Sequence, residues 1–197
     1  MKKVLVIDIL KPLLSKPYFT AKEVRQLGVS IHSLHHYVKA GLIKVIRRGV
    51  YQYVHTENST WQWVDLIEAA LGVPKGIICL VSALAIYEIT DEIPRQHWIA
   101  VSNSTNVKQS REIRYVRLRN MKLGSTMICL EGVEVPIFDQ ERTILDAFRL
   151  LSKEVAIKAL KYALAKKGER KLDLIKLQKY SKALRIDISD FLLMATT

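Results

Sequence analysis

The sequence predicts an α+β protein in two parts, a small N-terminal module of helices closed by a β-hairpin (1–56) and a mixed α+β domain that ends in helices (57–197). Three observations predict it. Helical spacing of apolar residues is broken by glycines at 28 and 41; two β-branched runs flank a basic turn at Gly49; and after the polar stretch 55–60 the pattern changes to strands followed by helices.

The first helix is expected from Leu5, Ile9, Leu10, Leu13 and Leu14, running to about Lys16, where Pro17 stops it. Thr20 opens the second, with Glu23 completing a T-x-x-E capping box and Val24 and Leu27 forming its apolar face. Gly28 ends that helix. Ser30 caps a third helix through Ala40, which hides Leu34 and Val38, with Ile31 and Tyr37 beside them, before Gly41 terminates it. Runs 43–46 and 50–54 then flank Arg47, Arg48 and Gly49 as a hairpin with a basic tip. Helix, helix, glycine turn, helix, hairpin is the order of a winged helix-turn-helix.

Downstream, helices are expected at 61–71 and 82–89, and strands near 97–102, 112–119, 126–130 and 133–137. Three closing helices come after them at 140–151, 153–167 and 172–184.

Charge points to a polyanionic partner. The net charge is +12, and residues 1–54 hold ten Lys or Arg against only Asp8 and Glu23, so two-thirds of the excess lies in about a quarter of the chain. With 49% hydrophobic residues, disorder is excluded for most of the length. Cys79 and Cys129 both lie in apolar runs and are expected to be buried and reduced, with neither a disulfide framework nor a zinc cluster. The longest nearly apolar stretch, 77–87, is too short for a bilayer, which takes about 20 residues. No membrane partner is expected, and with no export signal evident a cytoplasmic location is the expectation.

The face of the third helix opposite Leu34 carries His32, Ser33, His36 and Lys39, with His35 at the flank and Ser30 at the start. Those side chains donate or accept hydrogen bonds at base edges, as the N-terminal half of a recognition helix must. Lys39, Lys44, Arg47 and Arg48 suit phosphates, and Arg47 or Arg48 at the wing tip suits the adjacent minor groove. His32 and His36, at i and i+4, also have the spacing for a shared metal ion, but no nearby acid or cysteine completes a ligand set, so no metal and no cofactor is expected. A second basic surface is drawn by Arg111, Arg114, Arg117 and Arg119 on one strand and by Lys158, Lys161, Lys166, Lys167, Arg170 and Lys171 on and after the penultimate helix. Such a surface would serve nucleic acid or a protein partner, or form a solvated rim. Arg142 and Asp146, one turn apart, are expected to form an internal ion pair, with Asp139 as N-cap.

Residues 19–54, ending in the Arg47-Arg48-Gly49-Val50-Tyr51 element, resemble the N-terminal winged helix of the abortive-infection AbiEi antitoxin family, the regulator half of type IV toxin–antitoxin systems. Ser82-Ala83-Leu84, Thr90-Asp91, Ile93-Pro94, the strand 97–101 and the run Asp139, Glu141, Arg142, Thr143, Leu145, Asp146 resemble its second domain, so the resemblance covers about residues 8–170. It implies a repressor that binds double-stranded inverted repeats upstream of its own operon and an antitoxin that counteracts a nucleotidyltransferase-like toxin without a stable complex. A solitary regulator is the alternative. A nuclease second domain fits poorly, because the only E-x-K run, Glu169 to Lys171, falls in a polar connection rather than on paired strands, and no enzymatic activity is expected.

Overall fold

The computed structural model describes residues 6–55, 62–168 and 171–196. Leu5, the expected linker at 56–60, the start of the helix expected from Trp61, and Glu169 and Arg170 lie outside the described residues. The chain divides into two compact units, 1–74 with 128–135, and 75–127 with 136–197.

In the first unit, α1 (Val6–Leu14), β1 (Phe19–Thr20), α2 (Ala21–Gln26), α3 (Ile31–Lys39), β2 (Ile43–Arg47), β3 (Val50–Tyr53) and α4 (Val64–Gly72) succeed one another. The strands form an antiparallel sheet in the order β1-β3-β2. Three helices and then a hairpin come in the expected order, with the two-residue β1 added at the sheet edge. Leu10, Leu13, Phe19, Val24, Leu34, Ile43 and Tyr51 make its core.

Two helix ends close in the same way, by bonds that satisfy the last carbonyls. Gly28 and Val29 donate to Arg25 and Val24, and Gly41 and Leu42 donate to Val38 and Tyr37. Each closure requires a left-handed residue, and Gly28 (φ 75°) and Gly41 (φ 74°) supply it without the Cβ clash another residue would carry.

The capping box is complete. The Thr20 N–H and hydroxyl donate to Glu23 Oε2 at 2.7 and 2.9 Å, the Glu23 N–H donates back to Thr20 Oγ1, and Lys16 Nζ lies 2.7 Å from Glu23 Oε1. Burial alone would raise the Glu23 carboxyl, but Lys16 and Thr20 outweigh it and the net shift is down from the ordinary 4.5. A depressed carboxyl pKa stabilises the folded state above the unfolded value, and that stabilisation is lost as pH falls through the folded value. Urea unfolding of the wild type and of Glu23→Gln should therefore differ at neutral pH and converge on acidification below about 4.5.

Helix α4 groups with this first unit. The Tyr18 hydroxyl donates to the Val64 carbonyl at 3.1 Å and to Glu68 Oε1 at 3.4 Å, and Lys44 Nζ lies 3.5 Å from Glu68 Oε2. Burial, then the Glu68 carboxylate, push the Tyr18 hydroxyl well above its ordinary value, so it stays a donor.

A mixed sheet has the order β6-β5-β4-β8-β7, from β4 (Ile77–Ile78), β5 (His97–Ser102), β6 (Ile113–Leu118), β7 (Ser125–Leu130) and β8 (Val133–Phe138); its residues 128–135 group with the first unit and the rest with the second. β4 runs antiparallel to β5 and parallel to β8, and β5 pairs in parallel with β6, Ile99 opposite Tyr115. Four expected strands are present; β4 is an addition. So is the final helix α9 (Ser189–Thr196), which comes after α5 (Leu80–Ile86), α6 (Gln140–Leu150), α7 (Lys153–Ala165) and α8 (Leu174–Leu184), so four helices rather than three close the chain. Leu84, Ile144, Leu145, Ala156, Ala159, Leu160 and Leu177 form the helical core, with Phe191 of α9 packed against it.

Helix α6 is buried from Gln140 through Ala147, charged residues included. Asp139 caps it by accepting the Arg142 N–H at 2.9 Å, as expected. The expected pair is present and deeply buried. Arg142 Nε donates to Asp146 Oδ2 at 2.7 Å with both side chains 1% exposed, and Arg149 Nη1 donates to Asp146 Oδ1 at 3.1 Å. Burial pushes the Asp146 carboxyl up from its ordinary value, against the pull of both guanidiniums. Arg142 Nη1 also donates to the carbonyls of Asn120 and Leu123.

Cys79 is buried, and burial pushes its thiol well up. Cys129 corrects the expectation. It is exposed, because β7 is the sheet's edge strand and Thr126, Met127 and Cys129 along it all meet solvent. Among the described residues no helix is long and apolar enough to cross a membrane.

Candidate nucleic-acid interface

The interface is organised by α3. Ser30 holds extended backbone (φ −74°, ψ 146°) and its hydroxyl accepts the Ser33 N–H at 3.0 Å, which starts the helix and points its first turn outward. The two hydroxyls also lie 2.8 Å apart, so Ser33 Oγ is held against the cap. Leu34 is fully buried, and Ile31, Tyr37 and Val38 pack against the same core. His32, His35, His36 and Lys39 are exposed, and Ser33 is half-buried. The His36 ring meets Tyr37 edge-on at 5.6 Å, which limits its rotation. Among the described residues, no group of three or more His, Cys, Asp or Glu is placed to hold a metal ion.

Beside α3 stands the β2–β3 hairpin. Ile43 pairs with Tyr53 and Val45 with Tyr51, but Arg47 pairs with Val50, so the register shifts between Val45 and Arg47. Such a bulge twists the strand and re-aims the side chains beyond it. Arg47 and Arg48 are exposed at the resulting tip. The tip is anchored by the Ala21 N–H, which donates to the Gly49 carbonyl at 2.9 Å. That bond sets the first turn of α2 against the wing and places the exposed Lys22 next to it. The sequence pattern does not single out Lys22; its signal is the capping box at Thr20, but the pairing of Phe19 and Thr20 with Tyr51 and Val50 gives it its position. Lys44 is exposed on β2, and Glu68 offsets part of its charge.

The segment α1 to β3 thus joins a capped helix with a polar, partly cationic outer face to a basic wing. Residues 8–54 match the family model of the AbiEi antitoxin transcriptional regulators. The AbiEi match begins within α1, ends just past β3 and contains α3, the wing and every residue assigned to them. It ends at Val54, so the downstream segments Ser82–Leu84 and Asp139–Asp146 lie outside it. No curated protein matches the chain.

The second group of basic residues does not form one surface. Arg114 and Arg117 are three positions apart on β6 and so fall on opposite faces. Arg111 and Arg114 line a cavity of about 600 Å³ with Gln96 and Gln109, and the Arg114 guanidinium lies 4.3 Å from the Trp98 ring centroid. Arg117 and Arg119 line a different pocket. On α7, Lys158 faces Asp91 and Glu154, Lys166 on its C-cap lies 3.3 Å from Glu88, and Lys161 and Lys167 are exposed.

Proposed function

We propose that the chain is a DNA-binding transcriptional repressor and antitoxin of a type IV abortive-infection system. The module at 1–56 reads an inverted repeat upstream of its own operon, and residues 57–197 counteract a nucleotidyltransferase-like toxin without a stable complex. The protein acts in the cytoplasm and is not an enzyme. One observation carries the reading. Helix α3 buries Leu34 while His32, Ser33, His35, His36 and Lys39 face outward beside a bulged hairpin tipped by Arg47 and Arg48. The AbiEi match over the same residues supports it.

The roles divide by chemistry. Ser30, through its cap, fixes the start of the recognition helix, and Ser33 and the three histidines read base edges in the major groove. Lys39, Lys44, Arg47 and Arg48 hold phosphates, with Lys22 as an added contact. Gel shifts with the protein's own upstream DNA and with a scrambled duplex test this. Ser33→Ala or His36→Ala should cost about 1–3 kcal/mol on the specific site and little on the scrambled one. Equal losses on both duplexes would sink base reading by α3. For the second role, growth is measured with a nucleotidyltransferase-like toxin expressed alone and with this chain; failure of co-expression to restore growth would leave a solitary regulator.

A further inference from the structure

A pocket of about 480 Å³ in the second unit is lined by five arginines, Arg117, Arg119, Arg142, Arg149 and Arg185. No carboxylate is among its lining residues, and Asp146 behind them is bonded to Arg142 and Arg149. Arginines that serve structure alone are normally matched by acids. Here Asp146 pairs with Arg142 and Arg149, while Arg117 is oriented by carbonyls that leave its charge in place. Arg117 Nη1 donates to the carbonyls of Ser102, Asn103 and Thr105 at 3.2, 2.9 and 3.1 Å, and Arg142 Nη1 to those of Asn120 and Leu123. Five guanidiniums around one cavity, with Asp146 offsetting one charge and three of the five held in fixed directions, leave an excess of positive charge pre-organised for a polyanion, since little side-chain freedom remains to be lost on binding.

The remaining lining residues say how much of such a ligand is read. Asn103 and Asn120 can bond a sugar or a phosphate oxygen, while Ala183 and Leu184 are small or aliphatic and no aromatic ring is present to stack a base. The volume falls within the range of about 300–1,000 Å³ typical of small-ligand sites.

We propose that this pocket binds the oligophosphate of a nucleoside polyphosphate, reading the phosphates and not the base. The guanidinium forks of Arg117, Arg119, Arg149 and Arg185 clasp successive phosphates, and Arg142, paired with Asp146, forms part of the pocket wall. The site lies outside the winged helix and does not depend on DNA reading.

Titration calorimetry of the full chain against ATP, GTP, sodium tripolyphosphate, inorganic phosphate and adenosine tests it. ATP, GTP and tripolyphosphate should bind within a few-fold of one another, phosphate at least about tenfold more weakly, and adenosine not at all. Arg119→Ala with Arg185→Asn should weaken tripolyphosphate at least about tenfold; both side chains are exposed, and asparagine tolerates the left-handed backbone at 185 (φ 56°). If that pair perturbs folding by circular dichroism, Arg119→Ala alone gives the same test with a smaller loss. Arg47→Ala with Arg48→Ala should leave tripolyphosphate binding unchanged. Adenosine binding as tightly as ATP, an unchanged affinity in the Arg119 and Arg185 variant, or binding of an RNA oligonucleotide but not of tripolyphosphate would overturn the proposal.

Discussion

Replacing Arg47 and Arg48 together by alanine should lower affinity for the upstream DNA roughly ten- to hundredfold at about 0.1 M salt and reduce the slope of log affinity against log salt by about two. Both side chains are exposed at the wing tip, beyond the bulge that shifts the register between Val45 and Arg47, so the change removes charge without disturbing the core of Leu34, Ile43 and Tyr51. Each phosphate neutralised by a cation releases bound counterions, and that release makes affinity depend on salt. The loss should be the same for specific and scrambled duplexes, the opposite of the pattern expected for His36→Ala. A gel-shift series from low to high salt measures both quantities. An unchanged slope would remove the wing from the DNA interface and leave α3 and Lys22 to carry it.

The second large effect is on stability. Asp146→Ala should cost about 3–5 kcal/mol, because it leaves the Arg142 guanidinium, 1% exposed, without its counter-charge. Denaturant unfolding of the second unit, followed by Trp98 fluorescence, would measure it. Replacing both partners, as Arg142→Met with Asp146→Leu, should recover only part of the loss. An apolar pair avoids the buried charge, but the part-buried carbonyls of Asn120 and Leu123 then lose their donor, a loss toward the lower end of the about 1–3 kcal/mol of a fully buried group left unpaired. Full recovery would mean that those carbonyls find water, and that Arg142 serves the ion pair alone.

Legibility in the sequence tracks the length and regularity of the signals. The turn at Gly28, the cap at Ser30 and the burial of Leu34 rest on spacings that only a helix explains, and they are present where expected. The pairing of Arg142 with Asp146 was readable for the same reason, one turn apart behind the cap Asp139. β1 was not readable, since two residues carry no period, and its partner is fixed only by tertiary pairing with Val50 and Tyr51. β4 was hidden within the apolar run 77–87, where Ile77 and Ile78 look no different from the helix beyond them. In α9, five consecutive apolar residues, 191–195, show no face at all.

The candidate sites divide along the same line. The outward face of α3 could be placed on a wheel, but the grouping of the arginines could not. Arg114 and Arg117 look alike in sequence, yet strand parity sends them to different faces, and Arg149 and Arg185 join Arg117 only through the packing of α6 and α8 against the loops of the sheet. Cys129 shows the converse error, an apolar neighbourhood taken for burial where an edge strand leaves the side chain open.

The attachment of α4 bears on how the segment α1 to β3 can be isolated. A fragment trimmed just past the wing would strip the Tyr18 hydroxyl of both acceptors and release Lys44 from Glu68. A fragment extended through Pro74 keeps α4 but still lacks residues 128–135 of the same compact unit.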